Sequence, residues 1–113
     1  MKCPFCEIIE KKKPARVFFE DETVIVFADI FPKAEIHLLV CPRIHYERLA
    51  ELPENLLLRL LDTIKTIAAQ LGLENNFRLV LNNGAAAGQI IEHIHFHFLS
   101  NAGGVKLKFK SSI

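Results

Sequence analysis

The chain has no apolar run long enough to cross a bilayer, and its first residues lack the order of a signal peptide. Neither sign of charge dominates: 14 Lys and Arg stand against 13 Asp and Glu, a formal net charge of +1. Without a broad basic field, neither nucleic acid nor a membrane surface is an expected partner. Lys11, Lys12 and Lys13 form the only dense charge block, which reads as a solvated turn. Cysteine is scarce and odd in number, at Cys3, Cys6 and Cys41. That argues against a disulfide framework and for a reducing, cytoplasmic setting. There is no repeat, low-complexity tract or linker, and 113 residues suffice for one compact domain over 1-113.

What is present orders itself readily. "CPFCEIIEKK" opens with a cysteine pair and continues as a short helix. "RVFFEDETVIVFAD" reads as two strands joined at Asp21 and Glu22, because β-branched and aromatic residues flank a polar turn. "IHLLVCP" is a third strand, stopped by Pro42, with a buried and inert thiol at Cys41. After Pro53, taken as the first helical residue, Leu56, Leu57, Leu60, Leu61, Ile64, Ile67, Ala68 and Leu71 recur at helical spacing up to Gly72. "FRLVLNN" is a strand, "GAAAG" a loop, and "IIEHIHFHFLS" the last clear strand. The expected class is α+β: a mostly antiparallel five-stranded sheet with one long helix and a short N-terminal helix.

The last of these segments carries the chemistry. Strand side chains alternate, so His93, His95 and His97 would share one face while Ile94, Phe96 and Phe98 fill the other. Neighbouring histidines would lie about 6–7 Å apart at Cα, too spread for all three to hold one tetrahedral ion. Just upstream, "NNGAAAGQ" supplies small residues whose backbone N–H groups can approach an anion, with the Gln89 amide beside them. An imidazole row next to such a loop points to phosphate chemistry, with histidine as nucleophile or as acid and base.

The stretch "NNGAAAGQIIEHIHFHFL" resembles the signature of the histidine triad (HIT) superfamily, His-φ-His-φ-His-φ-φ with φ apolar, here His93 to Leu99. "CPFCEIIEKKKPARVFFEDETVIVFADIFPKAEIHLLVCPRIH" is similar to the N-terminal half of its Hint branch. The resemblance implies a HIT-like fold and a homodimer. It also implies binding of a purine mononucleotide or nucleotide conjugate and hydrolysis of phosphoramidates or acyl- and aminoacyl-adenylates. In that scheme His95 attacks the α-phosphorus, His97 contacts the phosphate and His37 completes the cluster. Asn82, Gly88 and Gln89 line the phosphate pocket, Asp29 takes the ribose hydroxyls, and Phe5, Ile8 and Ile30 wall the base. Without the resemblance, Asp29 reads as a turn residue and Phe5 as core.

Cys3 and Cys6 form a C-x-x-C that no strand precedes, which disfavours a redox motif. A zinc knuckle needs two further ligands; the resemblance gives them as His45 and His93, one structural zinc per chain with no open position, and no catalytic metal. The alternative is two unpaired thiols. The chain departs from the Hint pattern at Ile90, where relatives commonly carry a polar or hydroxyl residue. It departs again in the tail "NAGGVKLKFKSSI", which lacks a tryptophan-containing end and whose Val105, Leu107 and Phe109 alternate as a strand would. Three rivals stand beside the phosphoramidase reading. One is a dinucleoside-polyphosphate hydrolase, one a zinc-stabilised nucleotide-binding or interaction module, and one a metal-dependent enzyme using the histidines as ligands.

Overall fold

The structure, a computed structural model, describes residues 3–112. Its elements follow the order α1 (Pro4–Ile9), β1 (Arg16–Glu20), β2 (Val24–Ala28), β3 (Ile36–Pro42), α2 (Glu54–Leu71), β4 (Arg78–Leu81), β5 (Phe96–Ser100) and β6 (Ser111–Ser112). Short 3-10 turns at Leu49–Glu51 and Ala85–Ala87 lie between them. The strands form one sheet in the order β4-β5-β3-β2-β1-β6, with every pairing antiparallel. This is the expected α+β architecture of five strands and two helices, with a two-residue strand added at one edge.

Alternation along the strands creates two cores. Val24, Val26, Ile36, Leu38, Val40, Phe96 and Phe98 point toward α2, where Leu60, Ile64, Ile67 and Ala68 meet them. Leu60, Ile64 and Ile67 are wholly buried, each worth roughly 1.5–3 kcal/mol over exposure, so the helix is held mainly by this stripe. Gly72 ends α2 in the left-handed region at φ +70°, and the Leu73 N–H turns back to the Ala68 carbonyl (2.8 Å). The opposite face of the sheet carries Val17, Ile25, Phe27, Leu39 and Cys41, covered by Cys3 and Phe5 of the N-terminal segment. Covering both faces accounts for strands that are buried throughout, such as β3.

Local signals explain the joins. The Asp21 carboxylate accepts the Thr23 and Val24 N–H groups, both at 2.8 Å, and so closes the β1–β2 turn. α2 starts at Glu54, directly after Pro53 as expected, with the proline in the N-cap position and not in the first helical one. Lys11 to Lys13 are exposed, with Lys11 at φ +63° in the turn after α1.

Two expectations about strands are corrected. β5 starts at Phe96, and residues 90–95 approach it outside the ladder. Pairing with β3 stops at Val40 and Phe96, and the Ile94 N–H goes to the Tyr46 carbonyl (2.7 Å). Of the three histidines only His97 therefore belongs to the strand. The tail forms no strand over 105–109. Val105, Leu107 and Phe109 instead pack against the α2-side core, Phe109 beneath the Arg16 guanidinium at 4.0 Å.

Candidate functional site

Hydrogen bonds to the main chain fix the tautomers of His93, His95 and His37, and His37 in turn fixes that of His97, because a ring nitrogen facing a carbonyl must carry the proton. His93 Nε2 donates to the Pro42 carbonyl at 2.8 Å, which leaves Nδ1 bare. His95 Nδ1 donates to the His93 carbonyl at 2.7 Å, which leaves Nε2 bare. On β3, His37 Nδ1 accepts the Lys33 N–H at 3.1 Å, so its proton sits on Nε2, 2.9 Å from His97 Nδ1. His97 then accepts at Nδ1 and carries its own proton on Nε2.

Burial keeps these rings neutral. It lowers His37 and His95 below the ordinary histidine value, against the opposing pull of Asp29. His97 is pushed down to about 4, by burial first and by its histidine neighbours second. The 3.4 Å approach of Asp29 to His37 is thus a polar contact with a neutral ring and not an ion pair. Asp29, His37 and His97 also lie close enough to suggest a metal site. However, a metal on His37 Nε2 would have to displace the proton that the Lys33 N–H holds there. A hydrogen-bonded chain fits better.

The triad is divided between two clusters. His93 turns away from His97 toward Cys3, Cys6 and His45, and the four ligand atoms lie within 4.8 Å of one another. His93 Nδ1 is 3.3 Å from Cys3 Sγ and 3.6 Å from Cys6 Sγ, and His45 Nδ1 is 3.4 Å from Cys6 Sγ. Tetrahedral zinc, with bonds of about 2.3 Å to sulfur and 2.0–2.1 Å to nitrogen, sets sulfur and nitrogen about 3.5 Å apart. The Cys₂His₂ set fits that ion. Without metal, burial and Cys3 push the Cys6 thiol up to about 11, so zinc would bind by driving the proton off. Cys41 is fully buried on the same face, and burial raises its thiol far out of reactive range.

The glycine loop is built differently from the expectation. Gly84 and Gly88 take φ +94° and +92°, which glycine adopts without strain, and they bracket the Ala85–Ala87 turn. Asn82 Nδ2 donates to the Ala87 carbonyl (2.9 Å) and ties the loop to the end of β4. Gln89 is buried and fully engaged. Its Oε1 accepts the Gly84 N–H (2.7 Å), and its Nε2 donates to the Glu47 and Ile91 carbonyls, both at 2.9 Å. The amide expected beside the loop is hydrogen-bonded to the protein in this structure.

Phe5 sets its ring edge-on to His95, centroids 5.0 Å apart, and to Phe27 at 5.1 Å. Ile8 is half-buried beside it, while Ile30 is 78% exposed at the sheet's rim. Ile90 is 87% exposed. Sequence reasoning missed the Pro42, Tyr46 and His93 carbonyls and the Lys33 N–H, since a backbone group leaves no residue-type signal. It also missed the 2.6 Å ion pair of Arg48 with Glu92, which clamps the approach to β5; opposite charges 44 positions apart give no pattern to read.

An antiparallel sheet that carries a split histidine triad beside a glycine-bounded loop defines a narrow class. Residues 10–104 match the HIT domain, and the chain belongs to that family. It is 40% identical over 105 residues to an uncharacterized HIT-like protein of Methanocaldococcus jannaschii, covering 90% of this chain and 81% of the relative. Among solved structures it is similar to a HIT family hydrolase of Legionella pneumophila, at TM-score 0.82 and 36% identity over 95% of this chain and 96% of that one. A Zn-bound histidine triad family protein of Mycobacterium smegmatis superposes at TM-score 0.81 with 32% identity, covering 96% and 81% of the two chains. A histidine triad nucleotide-binding protein of Candida albicans does so at TM-score 0.81 with 30% identity, covering 99% and 85%.

Proposed function

We propose that the chain is a hydrolase of purine nucleotide conjugates, of the Hint type, that cleaves phosphoramidates or acyl- and aminoacyl-adenylates through a nucleotidyl-His95 intermediate. One observation carries the reading. The His93 carbonyl holds the His95 proton on Nδ1 and so leaves Nε2 with a free lone pair beside His97. His95 Nε2 bonds to the α-phosphorus as the P–N or P–O bond to the leaving group breaks. With the phosphate anion bound, the His37–His97 pair takes up one proton, which passes to the departing amine and leaves both rings neutral again. Water then attacks phosphorus, its hydroxyl stays in the mononucleotide, its proton returns to the pair, and His95 leaves with its lone pair. In this scheme Asp29 takes the ribose hydroxyls and Phe5, Ile8 and Ile30 border the base. The loop ending at Gly88 and Gln89 borders the phosphate, with Asn82 beside it, although the Gly84, Ala87, Gly88 and Gln89 N–H groups are engaged within the loop itself.

Similarity to a named hydrolase and a named nucleotide-binding protein supports the assignment. One zinc per chain at Cys3, Cys6, His45 and His93 is part of it, supported by the donor spacing and by the Zn-bound relative. A homodimer is also part of it. β4 is the open edge of the sheet, and Leu79 on it and Leu58 on α2 stand 38% and 63% exposed. Light scattering at micromolar concentration tests the dimer.

The test of function is turnover of adenosine 5'-phosphoramidate against diadenosine polyphosphate with chelator present, with an alkaline denaturing quench to trap nucleotidylated protein. Faster phosphoramidate hydrolysis, with label on His95, is expected. Preference for the polyphosphate would favour the dinucleoside-polyphosphate hydrolase. Tight nucleotide binding without turnover would leave a binding module.

A further inference from the structure

A cavity of about 400 Å³ opens at the end of the sheet where β4 begins, β5 ends and the β2–β3 loop crosses. Lys33, Asn76, Arg78, Leu99, Ser100 and Asn101 line it. Two of its lining residues, Leu99 and Lys33, neighbour His37. Leu99 lies directly opposite His37 on one side and Arg78 on the other, so all three share the histidine face. Two strand spacings put Arg78 about 10 Å from His37 along the sheet. Lys33 binds His37 through its backbone N–H, and its ammonium is near enough to help hold His37 and His97 neutral.

The open charges of this cavity are of one sign. Ser100 Oγ is engaged, donating to the Asn76 carbonyl (2.6 Å) and accepting the Ala102 N–H (3.2 Å). Asn101 Oδ1 accepts the Glu35 N–H (3.0 Å), which leaves its amide hydrogens as donors. No carboxylate is among the lining residues. Arg43, Arg48 and Arg59 each pair with a carboxylate; among the described residues Lys33 and Arg78 do not. Two unpaired cations and an amide donor on the His37 side of the histidine cluster suit a second anion.

We propose that this cavity is an anion subsite contiguous with the active site, through which the enzyme favours nucleotide conjugates bearing a further carboxylate or phosphate. The inference rests on the reading given under Proposed function. The second anion has two sources: an acidic leaving group, or a phosphate on the ribose hydroxyls that this reading gives to Asp29. The same donors serve both.

The experiment compares kcat/KM for adenosine 5'-phosphoramidates of aspartate, of an uncharged amino-acid amide and of lysine. In parallel it compares Kd for AMP and adenosine 3',5'-bisphosphate. An advantage of about tenfold for the aspartate conjugate, or for the bisphosphate, is expected, since two exposed cations each contribute modestly. The arm in which it appears identifies the source. The advantage should shrink at 0.5 M salt, as screening of exposed charges requires, and collapse in the double variant Lys33→Gln, Arg78→Gln. The salt series on the unaltered protein keeps the test valid if that variant folds poorly. Equal constants in both arms at low salt, or preference for the lysine conjugate, would overturn the subsite. Turnover of the uncharged conjugate separates the two ideas. With turnover but no charge preference only the subsite fails; with neither turnover nor AMP binding, the proposed function fails too.

Discussion

Replacing Gln89 with alanine tests whether its amide is a brace or a ligand. The side chain makes three hydrogen bonds from a position only 6% exposed, to Gly84, Glu47 and Ile91. Each is worth about 1 kcal/mol net, and leaving the half-buried Gly84 N–H unpaired adds a desolvation cost at the low end of about 1–3 kcal/mol. Water can reach part of the space left, so roughly 2–4 kcal/mol of destabilisation is expected. For a domain near 100 residues, 1 kcal/mol moves Tm by about 4 °C or more, which predicts a fall of roughly 8–16 °C. Thermal unfolding by circular dichroism reads Tm, and isothermal titration with AMP reads affinity. A variant that melts within 2 °C of the parent but loses AMP affinity would refute the brace and return Gln89 to the phosphate.

Four other outcomes are expected. His95→Ala should abolish turnover while AMP Kd stays within about tenfold, because the loss falls on the transition state; near-parental kcat would remove His95 as nucleophile. Protein purified without added metal should contain one zinc per chain by elemental analysis, and chelation should lower Tm; an unchanged Tm after the metal is stripped would dispose of the knuckle. Ile90→Ser should leave Tm nearly unchanged, since a side chain 87% exposed leaves no cavity. An added hydroxyl donor should raise kcat on phosphoramidates by about ten- to hundredfold if it acts mainly in the transition state, and unchanged kcat would show that it does not limit the rate. His37 and His97 are held below the ordinary 6.5, His97 at about 4. The unfolded chain therefore takes up protons first, so stability is fully present above pH 6.5 and is lost as pH falls from 6.5 toward 4. The acid limb of kcat/KM, set by protonation of the His95 nucleophile that burial holds below the ordinary value, should likewise lie below 6.5. A Tm that rises on acidification through that window would contradict the burial argument.

The sequence was most legible where one physical cause dominates. The stripe from Leu56 to Leu71 has a single strong period, and α2 lies where that period predicts. β1 to β3 follow from branched and aromatic residues punctuated by Asp21 and Pro42. The alternation through 93–98 was legible too, but it suggested one uninterrupted strand. A chain can keep alternating sides while its N–H groups leave the ladder, as Ile94 does toward Tyr46. Side-chain pattern reports facing and not pairing. The same limit explains the tail, where Val105, Leu107 and Phe109 alternate inward without a partner strand. Within the site, residue types pointed to the histidines and cysteines, whereas the groups that set ring tautomers are peptide carbonyls common to every residue. Gln89 was legible as an amide beside the loop but its protein partners were not, because an amide's hydrogen-bonding capacity does not say whether those partners come from the protein or from a ligand.

His93 has a consequence for how this protein could fail. Its ring faces the cysteines, while its peptide carbonyl fixes the proton of His95. A carbonyl cannot be deleted by substitution; it can only be displaced. Any change that loosens residues 92–94, whether in the thiols, in His45 or in the Arg48–Glu92 clamp, would let the His95 ring exchange its two neutral forms. Activity would then decline as a fraction of molecules holding the proton on the wrong nitrogen, with nucleotide affinity and every proposed catalytic side chain intact. Such a defect is invisible to a survey of conserved side chains but plain in the nitrogen-15 shifts of one imidazole, which differ between the two forms.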